Sequence, residues 1–421
     1  MPESALREQQ CSLYLAVPPS SPPSYVRMRT PVKHHVAGTV KRTVPYKDFL
    51  YDSILFVNPV RDFRNTSDRL LFTYSESCPG PEAHHSRDYQ PFDLKMLRIK
   101  FAPLKTPLER RLQTLAAACW FVTLAFGGTL CLAAIFCLTF YTRLWWLTLL
   151  YGAFIFYDRD VCNKGGRSSD WVRQWAWWRY LRDYFPLKLV KTADLDASRN
   201  YLFCAFPHGM LSTGAFGSFA TEALGFAELF PGLHPHLVTL AGHFLLPVTR
   251  ELALSCGSCS SSAESMGYLL SRPGGGHATV LIVGGAAESF YCRPGSYRII
   301  LRRRKGFIKL ALKHGTPLVP VVSFGETDLY DQVSNPEGSW LRWVQDHFRK
   351  VFGIAPIIPL GRGFFQYSFG FIPRRCPVFT VVGGPMEVEK ISDPSRQQVD
   401  EVHQRFTDHL LAFFEAEKHK Y

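Results

Sequence analysis

The sequence predicts an α/β fold anchored to a membrane. Beyond about residue 200, short apolar runs at Tyr201–Phe206, 279–283, 317–324 and Val378–Val382 alternate with glycine-rich turns and helical stretches such as Gly306–His314. That alternation is the pattern of a largely buried sheet covered by helices. Upstream, residues 112–142 contain no charge, and after the single Arg143 the apolar run resumes through 144–157. With 47% hydrophobic and only 20% charged residues over 421 positions, the chain has ample material for one large core or two modest ones.

In order along the chain, residues 1–95 stand apart: proline clusters (Pro18, Pro19, Pro22, Pro23) and weak hydrophobic periodicity predict a poorly ordered extension. The first thirty residues have no apolar core of the kind a cleavable signal peptide needs. The glycosylation-type triplet at Asn65 matters only if this end faces a lumen. A juxtamembrane segment follows at 96–111.

The stretch 112–157 is long enough for two membrane passes with a tight turn, or for one pass and a re-entrant segment, given about 20 residues per pass. Lys105, Arg110 and Arg111 precede it, and Lys164, Arg167 and Arg173 follow. Basic flanks stay cytoplasmic, so a helical hairpin with both chain termini in the cytosol satisfies both ends. Next, Trp171, Trp175, Trp177, Trp178, Tyr180, Tyr184 and Phe185 interleave with Arg173, Arg179, Arg182 and Lys188. This composition suits the lipid headgroup layer and equally an amphipathic helix packed on a domain. The remainder, 158–421, is expected to form a cytosol-facing domain.

The net charge of +13 favours polyanionic partners, which include nucleic acid, anionic membranes and phosphate-rich cosubstrates. Zinc-finger spacing, RNP-like motifs and continuous basic helices are all missing, which argues against nucleic acid. The eleven cysteines lack a disulfide-framework spacing, and the single C-x-x-C at Cys256 and Cys259 has no second half, so they read as reduced thiols. The glycines at 274–276 and 284–285 are not followed by Gly-Lys-Ser/Thr, and no G-x-S-x-G occurs, which excludes phosphate-binding-loop and serine-hydrolase chemistry.

Three places could carry chemistry. The strand Tyr201–Phe206 runs into Pro207, His208 and Gly209, a stiff turn at the rim of the sheet. His208 there is either a general base or a structural turn residue. The run 280–283 leads through Gly284 and Gly285 to Glu288 and Ser289; Glu288 could orient the histidine or the substrate, or the pair could simply begin a helix. Arg302, Arg303, Arg304 and Lys305 precede the helix Gly306–His314, and suit either the phosphates of a nucleotide cosubstrate, an anionic lipid or water.

The same residues resemble the family of type 2 diacylglycerol acyltransferases, monoacylglycerol acyltransferases and wax-alcohol acyltransferases. The resemblance runs from the Phe101-Ala-Pro-Leu segment to the C-terminus. It rests on the membrane stretch, Lys164-Gly-Gly-Arg167, Arg182-Asp-Tyr-Phe-Pro186, Leu189-Val-Lys-Thr192, Pro207-His-Gly209, the strand turn ending at Ser289, and Arg304-Lys-Gly-Phe307. Phe101-Ala-Pro-Leu, 196–201 and 365–370 look closest to the monoacylglycerol enzymes. Such enzymes start just before Phe101, so 1–95 looks like an added extension and Met96 like the usual start.

The resemblance implies a membrane-anchored acyltransferase domain in the endoplasmic-reticulum membrane, acting on acyl-CoA and a mono- or diacylglycerol. Acyl-CoA is then a cosubstrate, with no metal or other cofactor, and a homo-oligomer is compatible with it. His208 would be the base, and Glu288 or the family-matched Glu222 would hold its imidazole. Pro207, Gly209, Gly284 and Gly285 would line the substrate site, with backbone N–H groups at the glycine turns facing the oxyanion. Arg303, Arg304 and Lys305 would meet the coenzyme A phosphates. One departure stands out: where the family reads His-Pro-His-Gly, this chain has Phe206 in the first histidine's place. If that histidine is essential, the chain is a silent lipid-binding relative.

Overall fold

The computed structural model describes residues 54–56 and 99–421. The expected extension at 1–95 therefore lies outside the described residues, except for Ile54–Phe56, which pairs antiparallel with Tyr297–Ile299.

A seven-stranded mixed sheet forms the centre. Its strands are β1 (Leu187–Lys191), β2 (Tyr201–Phe206), β3 (His234–Thr239), β4 (Cys259–Ser260), β5 (His277–Ile282), β6 (Leu318–Phe324) and β7 (Val378–Val382). The spatial order is β1-β7-β6-β2-β5-β3-β4. β2 lies in the middle, parallel to β5 and β6, while β7 runs antiparallel to β6 and carries β1 alongside in parallel. Every residue of β2 and β6 is buried, because helices cover both faces of the sheet. One face packs against a core that includes Phe203, Ala205, Val280, Val319 and Val321; the other includes Leu202, Cys204, Phe206, Phe307 and Phe406. Alternation along β2 thus divides its side chains between two cores.

Helix α1 (Leu108–Tyr141) has 34 residues and is the one described helix long and apolar enough to cross a membrane. At 1.5 Å per residue it is about 51 Å long, more than the ~30 Å hydrocarbon core requires. α2 (Trp145–Tyr157) follows the turn that carries Arg143, and Thr148 Oγ1 meets Thr139 Oγ1 at 2.9 Å across it. With 13 residues α2 spans about 20 Å, too short to cross alone. Its end is fixed to the domain: Asp158 accepts from the buried Arg250 at 2.7 Å and from Arg167 at 2.9 Å, and Arg167 also pairs with Glu251. Arg167 of the Lys-Gly-Gly-Arg segment therefore joins α2 to the segment that follows β3.

The aromatic and basic stretch forms α3 (Ala176–Tyr184), with Trp178, Leu181 and Tyr184 buried. Trp120 of α1 meets Trp178 edge-on at 6.5 Å and Phe216 at 4.0 Å. This stretch is thus a packed amphipathic helix on its buried face, while Trp171 and Arg179 stay exposed. On the other side of the sheet, α4 (Gly306–His314) follows the basic cluster, and the C-terminal α5 (Arg396–Glu417) packs Phe406 and Phe414 under the sheet. All nine described cysteines are free, Cys256 and Cys259 among them.

Candidate active site

β2 delivers the chain to the carboxyl end of the sheet, where Pro207 and His208 turn away from it. In open α/β sheets this edge is where ligands bind. The loop 207–214 is clamped between two buried carboxylates. Glu288 accepts the backbone N–H of His208 at 2.8 Å and that of Ile300 at 2.6 Å. Glu326, at the end of β6, accepts the N–H groups of Thr213 and Gly214, each at 2.8 Å. Burial raises Glu288 to about 7 and Glu326 to about 8, against the pull of these backbone donors.

Two glycines make the clamp fit. A Cβ on Gly284 would stand 1.8 Å from the Glu288 carboxyl group, so the turn after β5 accepts no side chain. Gly209 has φ +59° and would place a Cβ 2.5 Å from Cγ of Glu326. Gly285 continues the first turn at φ +62°. Pro207 lines a small apolar void beneath the loop with Phe206 and Tyr297.

The imidazole itself meets a hydroxyl. Ser289 Oγ lies 3.0 Å from His208 Nδ1, and the carbonyl oxygen of Gly209 lies 3.3 Å from the same nitrogen. A carbonyl only accepts, so the proton sits on Nδ1, and Nε2 carries the free lone pair. Burial lowers His208 to about 4, opposed by the bond to Gly209 and reinforced by nearby His243. The ring is therefore neutral throughout the physiological range. His243 is itself held by Thr239 Oγ1 at 2.8 Å.

This geometry redistributes the expected roles. Glu288 holds the backbone of His208 and not its ring. Glu222 lies elsewhere, paired with Arg173 at 3.4 Å and accepting the N–H of Ala227 at 2.8 Å. Its carboxylate therefore cannot set the imidazole tautomer. Ser289, which the sequence offered only as a possible helix beginning, takes that position, and Glu326, which the sequence reading did not single out, joins the site. In the basic cluster, Arg304 donates to the carbonyl of Gly284 at 2.9 Å and fixes the turn, and Lys305 pairs with Asp400 at 2.7 Å. Arg303 is exposed. Phe206 points into the lower core, where its ring meets Phe406 at 6.5 Å.

Residues 137–421 match the family model described as "Diacylglycerol acyltransferase". The chain belongs to the diacylglycerol acyltransferase family. Within it, the bovine protein named 2-acylglycerol O-acyltransferase 1 is 47% identical over 325 residues, covering 77% of this chain and 97% of that protein. The human diacylglycerol O-acyltransferase 2 is 45% identical over 75% of this chain and 82% of its own length. Human 2-acylglycerol O-acyltransferase 1 is 42% identical over 77% and 97%. A solved 1-acyl-sn-glycerophosphate acyltransferase, PlsC of Thermotoga maritima, covers 72% of this chain and 98% of its own at 12% identity and a TM-score of 0.30, too low to bear on either fold or site. Membership in the diacylglycerol acyltransferase family makes the chain an acyltransferase.

Proposed function

We propose that the protein transfers a fatty acyl group from acyl-CoA to the free hydroxyl of a monoacylglycerol, forming diacylglycerol, with His208 as general base. The observation that carries this reading is the pairing of His208 Nδ1 with Gly209 O and Ser289 Oγ, which leaves Nε2 free to accept a proton. The acceptor oxygen forms a bond to the thioester carbonyl carbon as its proton passes to Nε2. The tetrahedral oxyanion, facing backbone N–H groups at the Gly209 and Gly284–Gly285 turns, then collapses. The C–S bond breaks, and the proton leaves Nε2 for the coenzyme A thiolate. The transfer is direct, with no acyl-enzyme, metal or further cofactor.

Monoacylglycerol is favoured as acceptor by the two 2-acylglycerol O-acyltransferases, each spanned over 97% of its length. In this reading the enzyme resides in the endoplasmic-reticulum membrane. α1 and α2 form a membrane hairpin with cytosolic ends in which the short α2 is a re-entrant arm, and the bilayer supplies both lipid substrates. The apolar Leu245 and Val248, exposed at 78% and 55%, support this placement, because Leu246 and Thr249 beside them pack on Gly128 and Gly127 of α1.

The test uses microsomes containing the protein, labelled oleoyl-CoA, and monoacylglycerol, diacylglycerol or a fatty alcohol in parallel, with His208→Ala as control. Diacylglycerol made from monoacylglycerol and lost in the variant is the expected result. Absence of product with every acceptor, from inserted protein, would identify a silent lipid-binding relative.

A further inference from the structure

A cleft of about 730 Å³ opens at the β1 edge of the sheet, away from the His208 loop. Its lining brings together Arg173, Arg179, Arg182 and Lys188, with Trp175 beside them and the carboxylates Glu222 and Glu228 opposite. The cations are not equivalent. Arg173 is buried and bound to Glu222 and to the carbonyls of Phe219 and Cys256. Arg182 donates to Asp183 and to the carbonyl of Ala223. Among the described residues Arg179 has no ion-pair partner, and Lys188 meets only the ring of Phe379, at 5.4 Å. Arg179 and Lys188 thus face the cleft without an ion-pair partner among the described residues, whereas Arg173 and Arg182 are each balanced by a carboxylate, Glu222 and Asp183.

The depth of the cleft relative to the bilayer follows from α1. Trp120 packs on Trp178 of α3, the helix that carries Arg179 and Arg182. Apart from Leu108 and Leu115, the exposed large apolar residues of α1 lie from Val122 onward. Two residues of helix rise correspond to about 3 Å, and the headgroup layer is roughly 5–7 Å thick on each side of the hydrocarbon. α3 and its cleft therefore sit at headgroup level. The aromatic pair Trp171 and Trp175, edge-on at 5.2 Å with Trp171 exposed, is the side-chain type that occupies this layer.

We infer that this cleft binds the phosphate of an anionic glycerophospholipid, with Arg179 and Lys188 as its charged contacts, at a site separate from the one that holds acyl-CoA. The basic cluster after β5 is less suited to such a ligand, because Arg304 and Lys305 are already engaged by Gly284 and Asp400. Guanidinium and ammonium groups bind a phosphate monoester more tightly than a zwitterionic choline headgroup, whose own cation offsets the charge.

The experiment measures binding of a fluorescent short-chain phosphatidic acid to the full chain in neutral detergent, competed by unlabelled phosphatidic acid, phosphatidylcholine or coenzyme A. Saturable binding displaced by phosphatidic acid alone is expected. Arg179→Glu with Lys188→Glu should weaken it about tenfold or more, with KM for acyl-CoA unchanged. Arg179→Gln with Lys188→Gln, which adds no negative charge, serves if the first pair fails to elute as a single species. Equal binding by variant and parent would overturn the inference. So would displacement of the probe by coenzyme A with a raised acyl-CoA KM in the variant, which would assign the cleft to the cosubstrate.

Discussion

Ser289 Oγ stands 3.0 Å from Nδ1 of His208, while Glu288, its neighbour in the chain, grips the backbone N–H of the same histidine at 2.8 Å. Two adjacent residues after β5 thus divide one task. The carboxylate places the histidine and the hydroxyl orients its ring.

Ser289→Ala removes one ring partner and leaves the Glu288 clamp intact. The expected result is a fall in kcat of about 10-fold, with KM for acyl-CoA little changed, whereas His208→Ala should lose on the order of 10²–10⁴-fold. Ser289→Thr, which restores the hydroxyl, should recover part of the loss. Steady-state kinetics in membranes of equal protein content decide it; a normal kcat in Ser289→Ala would remove the serine from the site.

The pH profile should lack the usual histidine limb. An imidazole held near 4 stays unprotonated down to about pH 5, so kcat/KM should not halve near 6.5 on account of His208. The stability linkage has the matching sign: the folded pKa is depressed below 6.5, so this contribution is present above 6.5 and is lost as pH falls toward 4. Glu288 is opposite in sign. Its folded pKa near 7 exceeds 4.5, so its contribution is present below 4.5 and lost as pH rises to 7. Glu288→Gln should flatten that part of a thermal-unfolding curve against pH, at an overall loss of about 1–3 kcal/mol, because one of two backbone donors then faces an amide N–H₂.

Restoring the family's first histidine should not raise activity. Phe206 lies 2% exposed against Phe406, and an imidazole there enters an apolar void lined by Leu410 and Phe414. Phe206→His is expected to lower stability by about 1–3 kcal/mol while activity per folded molecule changes by less than about twofold. Parallel measurement of melting temperature and specific activity separates the two effects; a large gain in kcat would show that the ring at 206 reaches the reacting groups.

Gly284→Ala is the severest single methyl group in the site. Its Cβ would fall 1.8 Å from the Glu288 carboxyl, so either the turn or the clamp must give way. A loss of roughly 2–4 kcal/mol and no detectable transfer are expected. Gly306→Ala, where an added Cβ meets nothing within 4 Å, is the control that should retain both folding and activity.

Much of this architecture was legible because periodicity is local. The six buried residues of β2 and the helix Gly306–His314 stand where the apolar runs placed them. β3 was missed because it opens on His234, Pro235 and His236, and β1 because Leu187–Lys191 was submerged in the aromatic and basic stretch before it. His208 was legible as a residue on a stiff turn, but its partner was not: Ser289 is 81 positions away, and only the parallel pairing of β2 with β5 brings the two strand ends together. Glu326 was hidden in the same way, since β6 lies on the other side of β2. Arg304 and Lys305 looked like free phosphate ligands because a linear basic cluster carries no sign of Gly284 O or Asp400.

The junction at Asp158 bears on what happens when the surrounding lipid changes. A helix longer than its bilayer is wide answers thinning by tilting. Asp158, at the foot of the helical arm, is gripped by Arg250 and Arg167, and Tyr151 of α2 accepts the N–H of Val248 at 2.9 Å. The arm therefore cannot lean without dragging the segment between β3 and Arg250, the one that carries His243 beside His208. On the proposed placement in a bilayer, a change of membrane thickness would be passed through this junction to the segment that carries His243.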